Sequence, residues 1–537
     1  MNDALKRIVE KEGRPWWKIA ALLAVLVILF APSVWMLATI PPLWKDVDAY
    51  GQVTAPPGEG TILLYGPAYC FLARIPLYLG LAYNCWRAGL AWPSLSFFLQ
   101  PKLTDAGVFL LLVIQHLALC ASACLLIVSV TPRLLVRVTI AVLWATNPLF
   151  YIWAHCVSTE TLSMILVLLL AVAGLRILSE PKWQWWLCYG ILFTLSMLTR
   201  HINGVLGALL PLTFGFAGVI CYLLLALRQR KLEAHQGMRR QGARDLRQAF
   251  FGIVVGLLCI LLSAATLRLL SRAVGIPYHS TVGFTFMFRL GLFASLSPAE
   301  RDEVIRHAVR ANPSPDVRTL LEAFRDAPSR EGRLDVGEVL GQTRKLLPAT
   351  CLQGDNFARL LNETARACLL SPSSPYLRAV RIDFGKSFII PIGDVIAAPF
   401  VHTIFYFSHP ESMPQCAHLD TFQNHDRSSI LGQLHSYGGG HRILRYHRLL
   451  LGWLVLVLIF AWRERAQAIA LSAYTFAFNA TGLLMTAANC LLNEFQSRYT
   501  LTAWELLVIA VVIMLGALPK AELTARRLGN SNFVVRY

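Results

Sequence analysis

Apolar stretches long enough to cross a bilayer as helices recur at both ends of this 537-residue chain, and a chain patterned that way must use lipid as part of its solvent. Spans are predicted near 19–40, 106–130, 134–153, 157–178, 183–199, 204–227, 249–270, 449–462, 467–490 and 501–519, with 449–462 the shortest. Residues between 272 and 448 read instead as ordinary mixed sequence. The predicted fold is an all-α polytopic membrane protein of about ten transmembrane helices with juxtamembrane helices. It divides into a transmembrane module 1–271, a large non-cytoplasmic, mainly helical domain 272–448, and C-terminal helices with a cytoplasmic tail 449–537. The chain is 56% hydrophobic and only 15% charged, which excludes an ordinary soluble domain of this length.

The formal charge of +18 does not imply a nucleic-acid partner, because the basic residues sit in short segments between apolar spans. Arg133 with Arg137, Arg176 with Lys182, the run Arg228 to Arg247, Arg463 with Arg465, and Lys520 with Arg526 and Arg527 all fall on one side when the chain is threaded from a cytoplasmic N-terminus. Lys6, Arg7, Lys11, Arg14 and Lys18 precede an apolar run from Ile19 to Ile40, which reads as an uncleaved signal anchor in a cell (inner) membrane. The twelve cysteines show no CxxC, CxxCH or zinc spacing, and Cys120, Cys124, Cys188 and Cys221 lie in apolar spans as small hydrophobes. Cys351, Cys368 and Cys416 share the late loop, where an oxidising compartment would permit one disulfide.

The same threading puts 41–105, the turns near 154–160 and 199–204, the domain 272–448 and the loop 491–500 on the non-cytoplasmic side. Tyr65 to Gly89 is apolar and aromatic but interrupted by Pro67, Arg74, Pro76, Asn84 and Arg87, a pattern suited to helices lying along the interface. In the late domain Ser297 and Glu300 form a capping box for a helix to about Ala311. Phe384 to Phe407, broken by Pro391, Gly393, Asp394 and Pro399, is predicted as a buried or membrane-resting segment, and Gly438-Gly439-Gly440 turns the chain back to the membrane.

Ionisable residues gather on that non-cytoplasmic side. Asp46 and Asp48 follow the first span directly, where a carboxylate can act as general base toward an acceptor hydroxyl or amine, or the pair can sit as a solvated loop. His155 and Glu160 flank the next turn; Glu160 can equally cap its helix against the macrodipole and His155 can be a satisfied interfacial imidazole. Arg200 and His201 interrupt two apolar spans, and Arg498 and Tyr499 precede the last one. A guanidinium suits a lipid-linked phosphate, or snorkels to headgroups.

Asp46-Val47-Asp48, the Tyr65-Gly66-Pro67 segment, Ser158-Thr159-Glu160, Leu198-Thr199-Arg200 and Ser497-Arg498-Tyr499-Thr500 together resemble the GT-C superfamily of membrane glycosyltransferases, in the branch of protein O-mannosyltransferases and aminoarabinose transferases. The resemblance covers roughly residues 15–215 and 485–520. It implies a polyprenyl-phosphate sugar donor and an acceptor glycan, lipid or protein, with Asp46 as base and Asp48 beside it. It further implies Arg200 and Arg498 on the donor phosphate, with Glu160, His155, His201, Tyr65 and Tyr499 shaping the pocket. The chain departs from the family at Arg200-His201, where relatives often carry lysine then glycine, and in the unmatched domain 272–448. A single displacement would invert the anomeric centre; no metal is required, although the paired carboxylates could take a divalent cation. Two other readings stand beside this one. A surface-polysaccharide ligase or polymerase would use Arg378, Arg381, His435 and His441 of the late loop, and a transporter would need inverted repeats and polar breaks at the midplane, which the sequence does not display.

Overall fold

The computed structural model describes residues 15–45, 47–55, 66–227, 232–275, 282–328, 334–352, 355–409, 418–420, 432–433, 444–463, 467–493 and 500–517. Six helical stretches are long and apolar enough to cross a membrane: Leu22–Thr39, Asp105–Val130, Thr159–Ser179, His201–Leu223, Arg239–Val274 and Ile469–Leu492. Helices Leu134–Ala145 and Pro148–Ala154 meet at a 62° bend and count as a seventh if taken as one broken span. The break is written in Asn147-Pro148. Proline cannot donate to the preceding turn, and Asn147 Oδ1 restarts the helix by accepting from the Leu149 amide at 3.1 Å. The chain is therefore an all-α polytopic membrane protein.

Three further predicted spans are shorter helices: Trp183–Thr199 and Leu501–Ala517 with 17 residues each, and Tyr446–Arg463 with 18. Seventeen residues rise about 25 Å, slightly less than a typical hydrocarbon core. The predicted span 249–270 is the later part of a 43-residue helix, Leu232–Val274, whose earlier part carries Arg239, Arg240, Arg244 and Arg247. The bundle shares one apolar core, in which Ile127, Phe150, Trp153, Leu168, Trp504 and Ile513 are fully buried.

The helix Pro67–Arg87 packs on Asp105–Val130 at the segment predicted to lie along the interface. Gly80 makes that approach: a methyl group there would come within 2.2 Å of Gly107 backbone. Tyr69, Ala73, Leu77 and Leu81 face inward, while Leu72, Ile75, Leu79, Tyr83 and Trp86 form an exposed apolar row. Arg74 on the inner side is buried and donates to the carbonyls of Leu99 and Ala55 at 2.6 and 2.5 Å, which folds the rest of the first loop back onto the helix.

The described residues between 282 and 389 form successive helices around a second core that includes Phe286, Phe293, Leu320, Phe324, Leu361 and Tyr376. The capping box is present, with Ser297 N–H and Oγ–H both donating to Glu300 Oε2 at 2.9 Å and the helix running Pro298–Ala311. Cys351 and Cys368 are both free thiols, so no disulfide joins them. Cys368 is buried, and the Cys351 thiol instead donates to Asp316 Oδ2 at 3.2 Å. Cys416 and Gly438–Gly440 lie outside the described residues. Pro391 splits the apolar segment between helices Ser374–Ile389 and Ile392–Ser408, and the second buries Val395, Ile396 and Phe400 in the bundle core. The domain is anchored to the end of helix Gln467–Leu492 by two bonds. Tyr376 Oη donates to the Leu491 carbonyl, and Arg289, ion-paired with Asp383, reaches the Asn493 carbonyl at 3.5 Å.

Candidate functional site

Two prolines, Pro41 and Pro42, end the first span and lead into a two-residue strand, Leu43–Trp44, which the sequence reading did not foresee. It pairs in parallel with Cys156–Val157, Leu43 opposite Cys156 and Trp44 opposite Val157. On its other edge the Trp44 amide donates to Thr403 Oγ1 at 2.8 Å, so the strand is held between the turn before one span and the helix Ile392–Ser408. A polar strand end placed this firmly fixes the next residue, Lys45, which is almost fully buried.

Lys45 Nζ lies 2.9 Å from Glu160 Oε1, and Arg200 Nη2 approaches the same oxygen at 3.6 Å. Glu160 is only 1% exposed, yet it stands in the first turn of helix Thr159–Ser179, where the helix dipole also favours an anion. The dipole alone does not account for its burial; two cations do. Thr159 Oγ1 donates to its second carboxylate oxygen at 3.3 Å.

Arg200 follows the last residue of helix Trp183–Thr199 in extended backbone. Its position is set from behind by Gly66, whose φ of +96° and missing side chain let the loop lie against the Leu198 and Thr199 carbonyls; a methyl group there would meet them at 2.5 and 2.6 Å. From the helix Leu501–Ala517, the buried Glu505 lies within electrostatic reach of Arg200, and its Oε1 has no hydrogen-bond partner among the described residues. Glu160 thus contacts both Lys45 and Arg200, and Glu505 lies near Arg200. Such a cluster can hold a phosphate on Arg200 and Lys45 while Glu160 keeps both cations in place.

Glu160 and Arg200 are thus brought together as a pair. His201 adjoins Arg200 in sequence at the start of a 3₁₀ turn, His201–Ala208, and its Nε2 is buried without a hydrogen-bond partner among the described residues. His155 is placed elsewhere, in the interior. Its Nε2 donates to the Ile40 carbonyl at 2.9 Å, so its Nδ1 accepts from His116 Nε2 at 3.1 Å, and His116 Nδ1 in turn takes the Ser33 hydroxyl proton at 2.9 Å. Both ring nitrogens are used, and burial pushes the His155 imidazole down to about 4. That chain stitches the first span, helix Asp105–Val130 and the turn together, a positioning task. Asp46, Tyr65, Arg498 and Tyr499 lie outside the described residues; Asp48 stands in helix Val47–Thr54, its side chain outside them. Among the described residues no group of three or more His, Cys, Asp or Glu side chains is arranged to hold a metal.

Sequence reasoning missed Lys45 and Glu505. Lys45 stands just before Asp46 in the sequence, with no local pattern that marks it. Glu505 was legible as the one carboxylate in an otherwise apolar 17-residue helix, which is a functional signal in a membrane segment. Compared with known proteins, the chain matches no family model, no curated protein and no solved structure.

Proposed function

We propose that this chain is a membrane glycosyltransferase that moves a sugar from a polyprenyl-phosphate donor to an acceptor glycan, lipid or protein on the non-cytoplasmic side. The observation that carries the reading is the convergence of Lys45, Glu160 and Arg200 from three separate segments, Lys45 being the residue before Asp46 in the sequence. Loops separated by spans have no reason to bury three charges together unless the site handles charge. On this reading the shorter apolar helices complete ten crossings, both termini are cytoplasmic, and 272–448 covers the site from outside.

In the reaction, Asp46 takes the proton of the acceptor hydroxyl as its oxygen attacks the anomeric carbon. The bond from that carbon to the phosphate oxygen breaks on the opposite face, and the polyprenyl phosphate leaves with the electron pair, inverting the centre. Arg200 and Lys45, with Arg498, would neutralise the charge growing on the leaving phosphate. The exposed apolar row on helix Pro67–Arg87 supports a lipid-facing position for the first loop, where a lipid donor would arrive. The ligase reading gains less support, since Arg378 of the late domain is ion-paired with Glu300.

Membranes given labelled polyprenyl-phosphate sugars test this, comparing the native chain with Asp46→Asn and Arg200→Ala at matched expression. Transfer by the native chain alone is expected; equal transfer by Asp46→Asn removes that residue from catalysis, and no transfer from any donor returns weight to the ligase and the transporter.

A further inference from the structure

The uncovered face of helix Leu232–Val274 changes character at one point along its length. Its buried stripe, with Gly242, Asp245, Ala249, Gly252, Gly256 and Cys259, recurs every three or four residues and packs on helices Leu209–Leu227 and Trp183–Thr199. On the opposite side Arg240, Arg244 and Arg247 are exposed and, four and three residues apart, stand in one row. Phe251, Leu258 and Leu262 continue that row at the same helical spacing, and all three are exposed. Asp245 is the one carboxylate between residues 239 and 274. It is turned inward and buried, with Gln241 Nε2 donating to its Oδ1 at 2.9 Å, so it does not interrupt the arginines.

Two observations fix the depth of the change. Arg247 and the next arginine, Arg268, are 21 positions apart in the same helix, a rise of about 32 Å, which matches the thickness of a hydrocarbon core. Helix Trp183–Thr199 runs alongside in the same direction, since Trp186 meets Phe251 edge to face with ring centroids 4.8 Å apart and Gly190 lies against Val255 and Cys259. Trp183, three residues before Trp186, is exposed and stands level with Arg247; a membrane interface selects an indole at that depth. The arginine row is at headgroup depth, and the apolar row lies where acyl chains run.

The geometry points to a binding site for one anionic phospholipid, its head on Arg240, Arg244 and Arg247 and an acyl chain along Phe251, Leu258 and Leu262. A soluble phosphate would use the guanidinium groups and leave the apolar row uncovered; a lipid of no net charge would cover the row and leave three cations unmatched. A phospholipid with a net negative head matches both parts at once. This site is on a different helix from Lys45, Glu160 and Arg200 and stands apart from the transfer reaction.

The test uses the full-length protein in a neutral detergent, titrated with phosphatidylglycerol and with phosphatidylcholine of the same acyl chains, bound lipid being counted by native mass spectrometry. The native chain is expected to prefer phosphatidylglycerol by about tenfold. The triple variant Arg240→Gln, Arg244→Gln, Arg247→Gln should lose that preference with binding of phosphatidylcholine unchanged, and the corresponding triple lysine variant, which keeps the charge, should retain it. Arg244→Gln alone should lower the preference in the same direction, which keeps the test open if the triple variant fails to fold. A control that removes equal charge from exposed positions of the late domain, Arg306→Gln, Arg310→Gln, Arg318→Gln, should leave the preference intact. Equal binding of the two lipids by the native chain overturns the proposal, as does an equal loss in the control, which would make the effect one of net charge. Displacement of the bound lipid by millimolar glycerol phosphate, the head without its chains, overturns it as well and makes the row a site for free anions.

Discussion

Lys45 and Glu160, 115 positions apart in the chain, meet at 2.9 Å in a place almost closed to solvent. Taking two charges out of water is costly, and their attraction repays it only while both are present. Lys45→Met should therefore destabilise the protein by about 3–5 kcal/mol, because it takes from the buried Glu160 a cation that lies nearer than Arg200. The double variant Lys45→Met with Glu160→Leu should recover a large part of that loss. A double-mutant cycle on thermal unfolding in detergent measures the coupling, and additive effects would show that the pair does not interact.

Gly66 and Gly89 both adopt positive φ, +96° and +67°, but in different surroundings. Around Gly89 there is open space, so Gly89→Ala should cost only the left-handed backbone penalty of about 1 kcal/mol and leave transfer intact. At Gly66 the added methyl group meets the Leu198 and Thr199 carbonyls, which fix the backbone leading into Arg200. Gly66→Ala should therefore lower both stability and sugar transfer. Equal activity in the two variants would mean that Arg200 is not positioned through this contact.

Much of the membrane architecture was legible because the bilayer imposes it: length, apolar composition and basic flanks mark each span independently of its neighbours. The break at Asn147-Pro148 was legible in principle too, since proline acts locally, although the span was read as continuous. The site was legible only in part. Glu160 and Arg200 stand out as charges at span ends, but Lys45 gained its role from the pairing of Trp44 with Val157, a tertiary contact that no local pattern records. The hydrogen bonds of His155 were hidden for the same reason. An imidazole at a membrane edge looks functional, and only the positions of Ile40 and His116 reveal that its nitrogens are already engaged.

In the late domain, Arg378 and the Ser297 cap together hold the Glu300 carboxyl down to about 2, well below its ordinary 4.5. A depressed carboxylate contributes stability that is fully present above the ordinary value and is lost as pH falls toward the lowered one. Limited digestion with pepsin should thus leave the helix Pro298–Ala311 intact near pH 4.5 and begin to open it as pH approaches 2. Arg378→Ala should move that opening to higher pH. An unchanged profile would mean that the exposed pair contributes nothing, as many surface ion pairs do.

His155 predicts a dependence of the same sign in a higher pH window. Burial keeps its imidazole neutral in the folded protein down to about pH 4, whereas the unfolded chain takes up a proton near the ordinary 6.5. Between those values the unfolded state binds more protons than the folded one, so stability falls as pH drops from 6.5 and this contribution levels off below about 4. His155→Gln can keep a donor toward the Ile40 carbonyl but cannot titrate. The thermal midpoint in detergent should therefore fall less steeply for His155→Gln than for the native protein across that window, even if the variant is less stable at pH 7. Identical slopes would place the protonation of His155 outside the energetics of the fold, and with it the neutral hydrogen-bonded chain from Ile40 through His155 and His116 to Ser33.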